Sequence, residues 1–158
     1  MFRIEYLADN PQLIPTLAQW HQPQWAHLGP GRTIEDWVAT FQKHLLRRSV
    51  PSTFVALSGG TLLGSSGIIA YDLASRPDLS PWLACVLVAP EHRGQGIGTA
   101  LVKRTVAEAH DLGFDRLYLY TVDREDFYAR LGWSVIDRTT HMGYDIVVMG
   151  IDTANHGH

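Results

Sequence analysis

The chain carries a single cysteine, Cys85, among 158 residues. An intrachain disulfide is excluded, and a reducing compartment is the default setting. No apolar run approaches the ~18 residues that a membrane-spanning helix needs. Met1-Phe2-Arg3-Ile4-Glu5 does not read as a secretion leader. A cytoplasmic protein is expected. Positive charge is also scarce: 13 Lys and Arg stand against 16 Asp and Glu, a formal net charge of −3. That balance argues against a general binder of nucleic acid or anionic membrane, so neither is expected as a partner. Repeats, low-complexity segments and a G-x-S-x-G nucleophile elbow are missing. The eight histidines are scattered, with no close ligand spacing except the tail pair His156-x-His158. No metal site is expected.

What is present is ordinary for a globular protein: 46% hydrophobic and 18% charged residues. A chain of this size buries about two-thirds of the surface its unfolded state exposes, enough for a sizeable core. One domain over residues 1–153 is expected, followed by a flexible tail at 154–158.

The informative stretch is Val86–Gly113. Ala84-Cys85-Val86-Leu87-Val88 is continuous and apolar, as in a strand buried on both faces, and Pro90 should stop it near Ala89. From Ile97 the apolar period changes. Ile97, Leu101, Val102, Val106 and Ala109 share one helical face, with Arg104, Glu108 and Asp111 on the other. Gly113 should end the helix in a left-handed cap. Between strand and helix lies Arg93-Gly94-Gln95-Gly96-Ile97-Gly98-Thr99. Glycines let the backbone approach a bulky anion. The first amides of a helix lack partners within it and carry about half a positive charge. The combination is a diphosphate site, to which Arg93 can add a charge-assisted bond.

Arg93-Gly94-Gln95-Gly96-Ile97-Gly98 resembles the R-x-x-G-x-G/A acetyl-coenzyme A signature of the GCN5-related N-acetyltransferases (GNAT). Val86-Leu87-Val88-Ala89-Pro90 resembles the family's V-x-V-x-P strand end, and Phe127-Tyr128-Ala129-Arg130-Leu131-Gly132-Trp133 its F-Y-x-x-x-G-F element. The resemblance spans roughly residues 82–136, about a third of the chain. It implies acetyl-CoA as co-substrate and an amine as acceptor, whether a small molecule or a peptide or protein N-terminus. Acetyl would pass directly to the amine, and a homodimer is one assembly it allows. It also implies that Val86, Leu87 and Val88 pair with the pantetheine arm where their strand splays from its neighbour. Arg93, Gly94, Gln95, Gly96, Ile97, Gly98 and Thr99 would hold the diphosphate, and Tyr128 would face the sulfur as general acid. A phenol with a reference pKa of ~10 has a proton to give at neutral pH. The alternative for Tyr128 is a buried ring with its hydroxyl satisfied by backbone. Seven residues before it the family often has asparagine. Here that position is Thr121, whose hydroxyl can replace the amide against the pantetheine arm or lose the contact. By the same resemblance, the two N-terminal helices and their connection line the acceptor site, with Trp25 and His27 as pocket candidates.

The remaining chain reads in order. Phe2–Ala8 suits a strand, and Asp9 or Asn10 before Pro11 a helix start that should falter near Pro23. Thr33 with Asp36 suggests a capping box ahead of the stripe Ile34, Trp37, Val38, Phe41, Leu45 and Leu46. Trp20, Trp25, Trp37 and Phe41 read as core before cofactor box. Thr53–Leu57 and Thr61–Tyr71 form a hairpin across Ser58-Gly59-Gly60, with Gly64 and Gly67 hinting at a bulge or close approach. The loop Arg76–Trp82 is expected beside the acceptor. Leu117–Tyr120 is a strand, Asp123 caps a short helix, and Val135-Ile136 with Ile146–Met149 closes the sheet. The order β-α-α-β-β-β-α-β-α-β-β is α+β: a mixed central sheet of about six to seven strands with helices on both faces, which agrees with the family's acyl-CoA N-acyltransferase fold.

No general base is readable. Leu83, Ala84 and Cys85 offer no carboxylate, while Asp72, Asp78 and His141 read as surface groups. Cys85 in an apolar strand reads as filler rather than the nucleophile of a two-step scheme. Two other functions fit parts of the chain. One is an acyl-CoA-binding sensor that lacks turnover. The other is a dinucleotide enzyme of Rossmann type, weakened by Ala100 or Leu101 where a third glycine is wanted and by five residues between strand and glycines.

Overall fold

The computed structural model describes residues 1–155; the tail positions 156–158, with His156-x-His158, lie outside the described residues. The elements follow the expected order: β1 (Arg3–Tyr6), α1 (Ile14–Trp25), α2 (Ile34–Lys43), β2 (Ser52–Ser58), β3 (Thr61–Ile69), β4 (Trp82–Val88), α3 (Ile97–Asp111), β5 (Arg116–Thr121), α4 (Glu125–Arg130), β6 (Ser134–His141) and β7 (Tyr144–Asp152). Short 3-10 turns occupy Leu7–Asp9, Pro11–Leu13, Pro90–His92 and Thr153–Asn155.

Seven strands make one sheet in the order β1-β2-β3-β4-β5-β7-β6. Neighbours are antiparallel except β4 and β5, which run parallel. The sheet is mixed and its two edges are early and late in the chain. A Rossmann sheet would instead be an open, mostly parallel one, so the dinucleotide reading falls on topology.

Helices cover both faces. On one, Val102, Val106 and Ala109 of α3 and Tyr128 of α4 pack on Leu83, Leu117, Leu119, Met149 and Ile151. On the other, Leu17, Ala18, Trp37 and Phe41 of α1 and α2 pack on Val55, Leu57 and Leu62. Trp37 and Phe41 are thus core, as their spacing implied.

Local chemistry sets most boundaries. Thr33 and Asp36 form the full capping box: Asp36 N–H donates to Thr33 Oγ1 at 3.1 Å, and Thr33 N–H donates to Asp36 Oδ2 at 2.9 Å. Gly113 follows α3 at φ +89°, its N–H bonded to His110 O at 2.9 Å. Three expectations are corrected. α1 runs through Pro23 to Trp25, because a proline in the last turn forfeits only one bond. Asn10 does not cap: its Nδ2 donates to Glu5 and to Tyr6 O, and Pro11 opens a 3-10 turn. Nor does Asp123 cap α4; Thr121 Oγ1 accepts the Arg124 N–H at 3.0 Å instead.

Candidate active site: a cleft where the sheet parts

β4 is pinned on one side and free on the other. Towards β3 it keeps a ladder, but Ser65 pairs with Leu87 and Gly67 with Ala84, so Cys85 and Val86 oppose Ser66 alone. This is a β-bulge. Cys85 takes φ +57°, a conformation rare for a side chain with a Cβ. Gly64 lets the strands close up past the bulge: a Cβ there would lie 2.6 Å from Leu87 O. Towards β5 the register is one residue pair, Trp82 with Tyr118, beside the bond from Tyr118 N–H to Pro81 O at 3.1 Å. Beyond it the parallel strands separate. Cys85, Val86 and Val88 are therefore half-buried and not sealed on both faces, because they line the gap.

The gap belongs to a cleft of about 780 Å³. At one end is the glycine loop. Gly94 and Gly96 have φ +80° and +79°, and a Cβ at either would meet nothing within 4 Å, so the loop stands open. Gly96 is the N-cap of α3 and no side chain caps that helix. The first helical bond runs from Ala100 N–H to Gly96 O at 3.1 Å. The amides of Ile97, Gly98 and Thr99 precede it and have no partner within the helix. Arg93 is exposed, with Nε donating to Val88 O at 3.2 Å. That bond plants the side chain and leaves its Nη groups available. Arg93, Gly94, Gly96, Ile97, Gly98 and Thr99 all line the cleft; Gln95 is exposed beside it and does not.

Midway, Val86, Leu87, Val88, Thr121 and Tyr128 line the cleft. Tyr128 is 8% exposed, edge-on to Phe127 at 5.0 Å and to Trp133 at 6.0 Å. Its hydroxyl makes no hydrogen bond among the described residues. Burial pushes the phenol up to about 12, with Arg124 opposing and Asp123 assisting, so it stays protonated at neutral pH. Cys85 is held as a thiol in the same way: burial, then the nearby Asp72 carboxylate, push it up to about 12.

The other end lies under α1 and α2. Trp25, His27, Arg32 and Trp37 line it, with Asp72 and Tyr120 opposite. His27 meets Tyr144 of the β6–β7 hairpin edge-on at 5.1 Å, so the α1–α2 connection reaches across the sheet. Trp25 and His27, the pocket candidates, therefore both line the cleft. The Arg76–Trp82 loop, expected beside the acceptor, does not line the cleft: Leu79 and Trp82 pack with Ile146 and Val148 of β7, and Arg76 pairs with Asp78 and, at 3.2 Å, with Asp137 of β6. Asp72, read from the sequence as a surface group, is corrected: it lines the cleft. Half-buried on the cleft wall, it has no hydrogen bond or ion pair among the described residues, and burial lifts its carboxyl to about 6 against the pull of Arg32. Its sequence signal is weak, a lone aspartate at the head of a polar, proline-punctuated loop.

A buried chain of hydrogen bonds fixes the bulge from behind. Trp25 Nε1–H donates to His21 Nδ1 at 2.8 Å, which leaves the proton on Nε2. Nε2 donates to Ser65 Oγ at 2.9 Å, and Ser65 Oγ–H donates to Cys85 O at 3.2 Å. Burial lowers His21 to about 3 and His44 to about 4, with Arg32 adding to both. A base depressed on folding is protonated first in the unfolded chain, so each histidine costs stability as pH falls below 6.5. The raised Asp72 carboxyl works the other way below about 6. Two histidines against one aspartate leave one proton net, on the order of 1.4 kcal/mol lost per pH unit between pH 6 and 5. Urea midpoints measured at those two pH values should fall accordingly. A flat response would show that the histidines are not buried neutral.

A seven-stranded mixed sheet parted beside a glycine-headed helix defines the acyl-CoA N-acyltransferase fold. The chain belongs to the acetyltransferase (GNAT) family, whose model matches residues 14–133. It is similar to an acetyltransferase structure from Exiguobacterium sp. 255-15, at 26% identity and TM-score 0.70, covering 98% of this chain and 95% of that one. It also resembles an aminoglycoside 6'-N-acetyltransferase complexed with coenzyme A, at 17% identity and TM-score 0.75, covering 96% and 97%. An amino-acid acetyltransferase of Ralstonia nicotianae is 27% identical over 92 residues. Those residues are 58% of this chain and only 20% of that relative, so the chain spans about a fifth of its length. No helix among the described residues is long and apolar enough to cross a membrane.

Proposed function

We propose that the protein uses acetyl-CoA as co-substrate and transfers acetyl directly to the nitrogen of an amine while both are bound. The observation that carries this reading is the parted β4–β5 pair, which opens one cleft between the glycine loop and the floor beneath α1 and α2. The residues fit the co-substrate. The uncapped amides of Ile97, Gly98 and Thr99 suit a diphosphate, Arg93 offers free guanidinium donors, and Gly94 and Gly96 leave room for the phosphates. The unpaired edge of Val86–Val88 suits an extended amide-bearing arm, which Thr121 can also meet.

When bound, the thioester supplies an activated acyl carbon. A main-chain N–H of Val86–Val88 stabilises negative charge on the acyl oxygen, a preorganised donor of the kind worth ~3 kcal/mol of barrier. The amine nitrogen bonds to the acyl carbon as the carbon–sulfur bond breaks. Tyr128 gives its phenolic proton to the departing sulfur, and the surplus proton on nitrogen returns through water to the phenolate. A Cys85 thiol held protonated favours this single transfer over an acyl-enzyme route. The lone cysteine supports a cytoplasmic setting. The similar proteins act on amino acids and aminoglycosides, both amines. Free thiol released from acetyl-CoA on addition of an amine panel tests the reading. Binding of acetyl-CoA with no thiol release from any amine would favour a sensor.

A further inference from the structure

Asp72 and Arg32 are the two charged groups of the acceptor end that the transfer chemistry leaves unused. Asp72 follows β3, and Arg32 stands in the α1–α2 connection. Both line the same cleft. They are close enough for the guanidinium to act on the carboxyl, yet they form no ion pair with each other, nor does either pair elsewhere among the described residues. Charges of opposite sign, half-buried in one cavity and left apart, are costly unless something completes them.

Arg32 is also held rigidly. Its guanidinium lies 3.8 Å over the Trp37 ring. One Nη donates to Thr40 Oγ1. A guanidinium has five N–H donors in a planar fork suited to a carboxylate. Stacking on Trp37 uses only its face, and apart from the bond to Thr40 its donors have no partner among the described residues. Asp72, acceptor-only when ionised, matches an ammonium. The walls between are Trp25, Trp37 and Tyr120, which favour a small body carrying the two charges.

Resting on the transferase reading, we propose that the acceptor is an amine that also bears a carboxylate, an amino acid, with Asp72 holding its ammonium and Arg32 its carboxylate. The attacking nitrogen is then the one beside Asp72, which becomes the neutral amine by giving one ammonium proton to water in the open cleft before it attacks. Cys85 and Tyr120 are the other titratable groups facing that carboxyl. A neutral carboxyl holds a cation poorly, so a carboxyl lifted by burial should also weaken acceptor binding as pH falls through about 6.

The test uses the whole protein with acetyl-CoA and matched acceptors: α-, β- and γ-amino acids, each beside its carboxamide, with spermidine and an aminoglycoside as carboxylate-free amines. We expect the best amino acid to exceed its carboxamide at least tenfold in kcat/KM. Arg32→Gln should bring that ratio close to one by raising the KM of the amino acid, and Arg32→Lys should restore part of it. Asp72→Asn should raise KM for acid and carboxamide alike. Coenzyme A affinity, measured by calorimetry on each variant, separates loss of the acceptor site from misfolding. Equal use of acid and carboxamide, a ratio untouched by Arg32→Gln, or turnover confined to spermidine or the aminoglycoside overturns the assignment while the transferase reading stands. Failure of the wild type to bind coenzyme A overturns both.

Discussion

Tyr128→Phe should lower kcat by ~10²–10⁴-fold, the usual contribution of a positioned proton donor, with little change in affinity for coenzyme A. The hydroxyl is the only group removed. It reaches the cleft and has no hydrogen-bond partner among the described residues, so its loss orphans nothing. The ring keeps its packing against Phe127 and Trp133. The melting temperature should therefore stay close to wild type, which makes kcat the discriminating readout. A phenol lifted to about 12 is fully protonated at neutral pH, so its proton is in place for the sulfur, and the return of the surplus proton from nitrogen to the phenolate drives the transfer. Unchanged turnover of the best amine would show that the sulfur is protonated by water. A loss of kcat with a matching loss of melting temperature would point to packing instead.

Gly96→Val should weaken coenzyme A binding by ~100-fold, about 2.7 kcal/mol on the affinity scale. Gly96 is at φ +79° at the head of α3, where a side chain with a Cβ costs roughly 1–2 kcal/mol and a β-branched one more. A Cβ would touch nothing there, so no clash is available to unfold the protein. Relief comes by turning the peptide, which swings the Ile97 and Gly98 amides off the diphosphate. The contrast with Gly64 is instructive. There a Cβ would press on Leu87 O at 2.6 Å, and substitution should damage the fold before it damages binding. A calorimetric titration of Gly96→Val that matched wild type would show that the loop backbone does not hold the phosphates.

The strand, glycine loop and helix were legible because their chemistry is local. The change of apolar period at Ile97 and the three alternating glycines need no distant partner to be read. The capping box at Thr33 and the helix stop at Gly113 are local in the same way. The opening of the cleft was not legible in the residues themselves. It depends on a register mismatch that sets Cys85 and Val86 against Ser66, and on a hydrogen-bond chain from α1; Gly64 and Gly67 hinted at irregularity, but on the partner strand. Resemblance, not spacing, supplied the splayed strand and the placing of Trp25 and His27. Asp72 was hidden because burial is a tertiary property: the loop that carries it is polar, and the α1–α2 connection that encloses it is forty residues earlier. The Arg76–Trp82 loop misled for a similar reason, since the partners that hold it away from the cleft, Asp137 and the Ile146–Val148 stretch, lie some sixty or more residues later.

The most direct measurement is a pair of calorimetric titrations of the wild-type protein, one with coenzyme A and one with pantetheine, which keeps the arm and lacks the diphosphate. If the unpartnered amides from Ile97 to Thr99 and the guanidinium of Arg93 grip that diphosphate, coenzyme A will bind with measurable heat and pantetheine at least ~100-fold more weakly, as the loss of several charge-assisted bonds requires. Equal affinities for the two, or no heat with coenzyme A, would contradict the account.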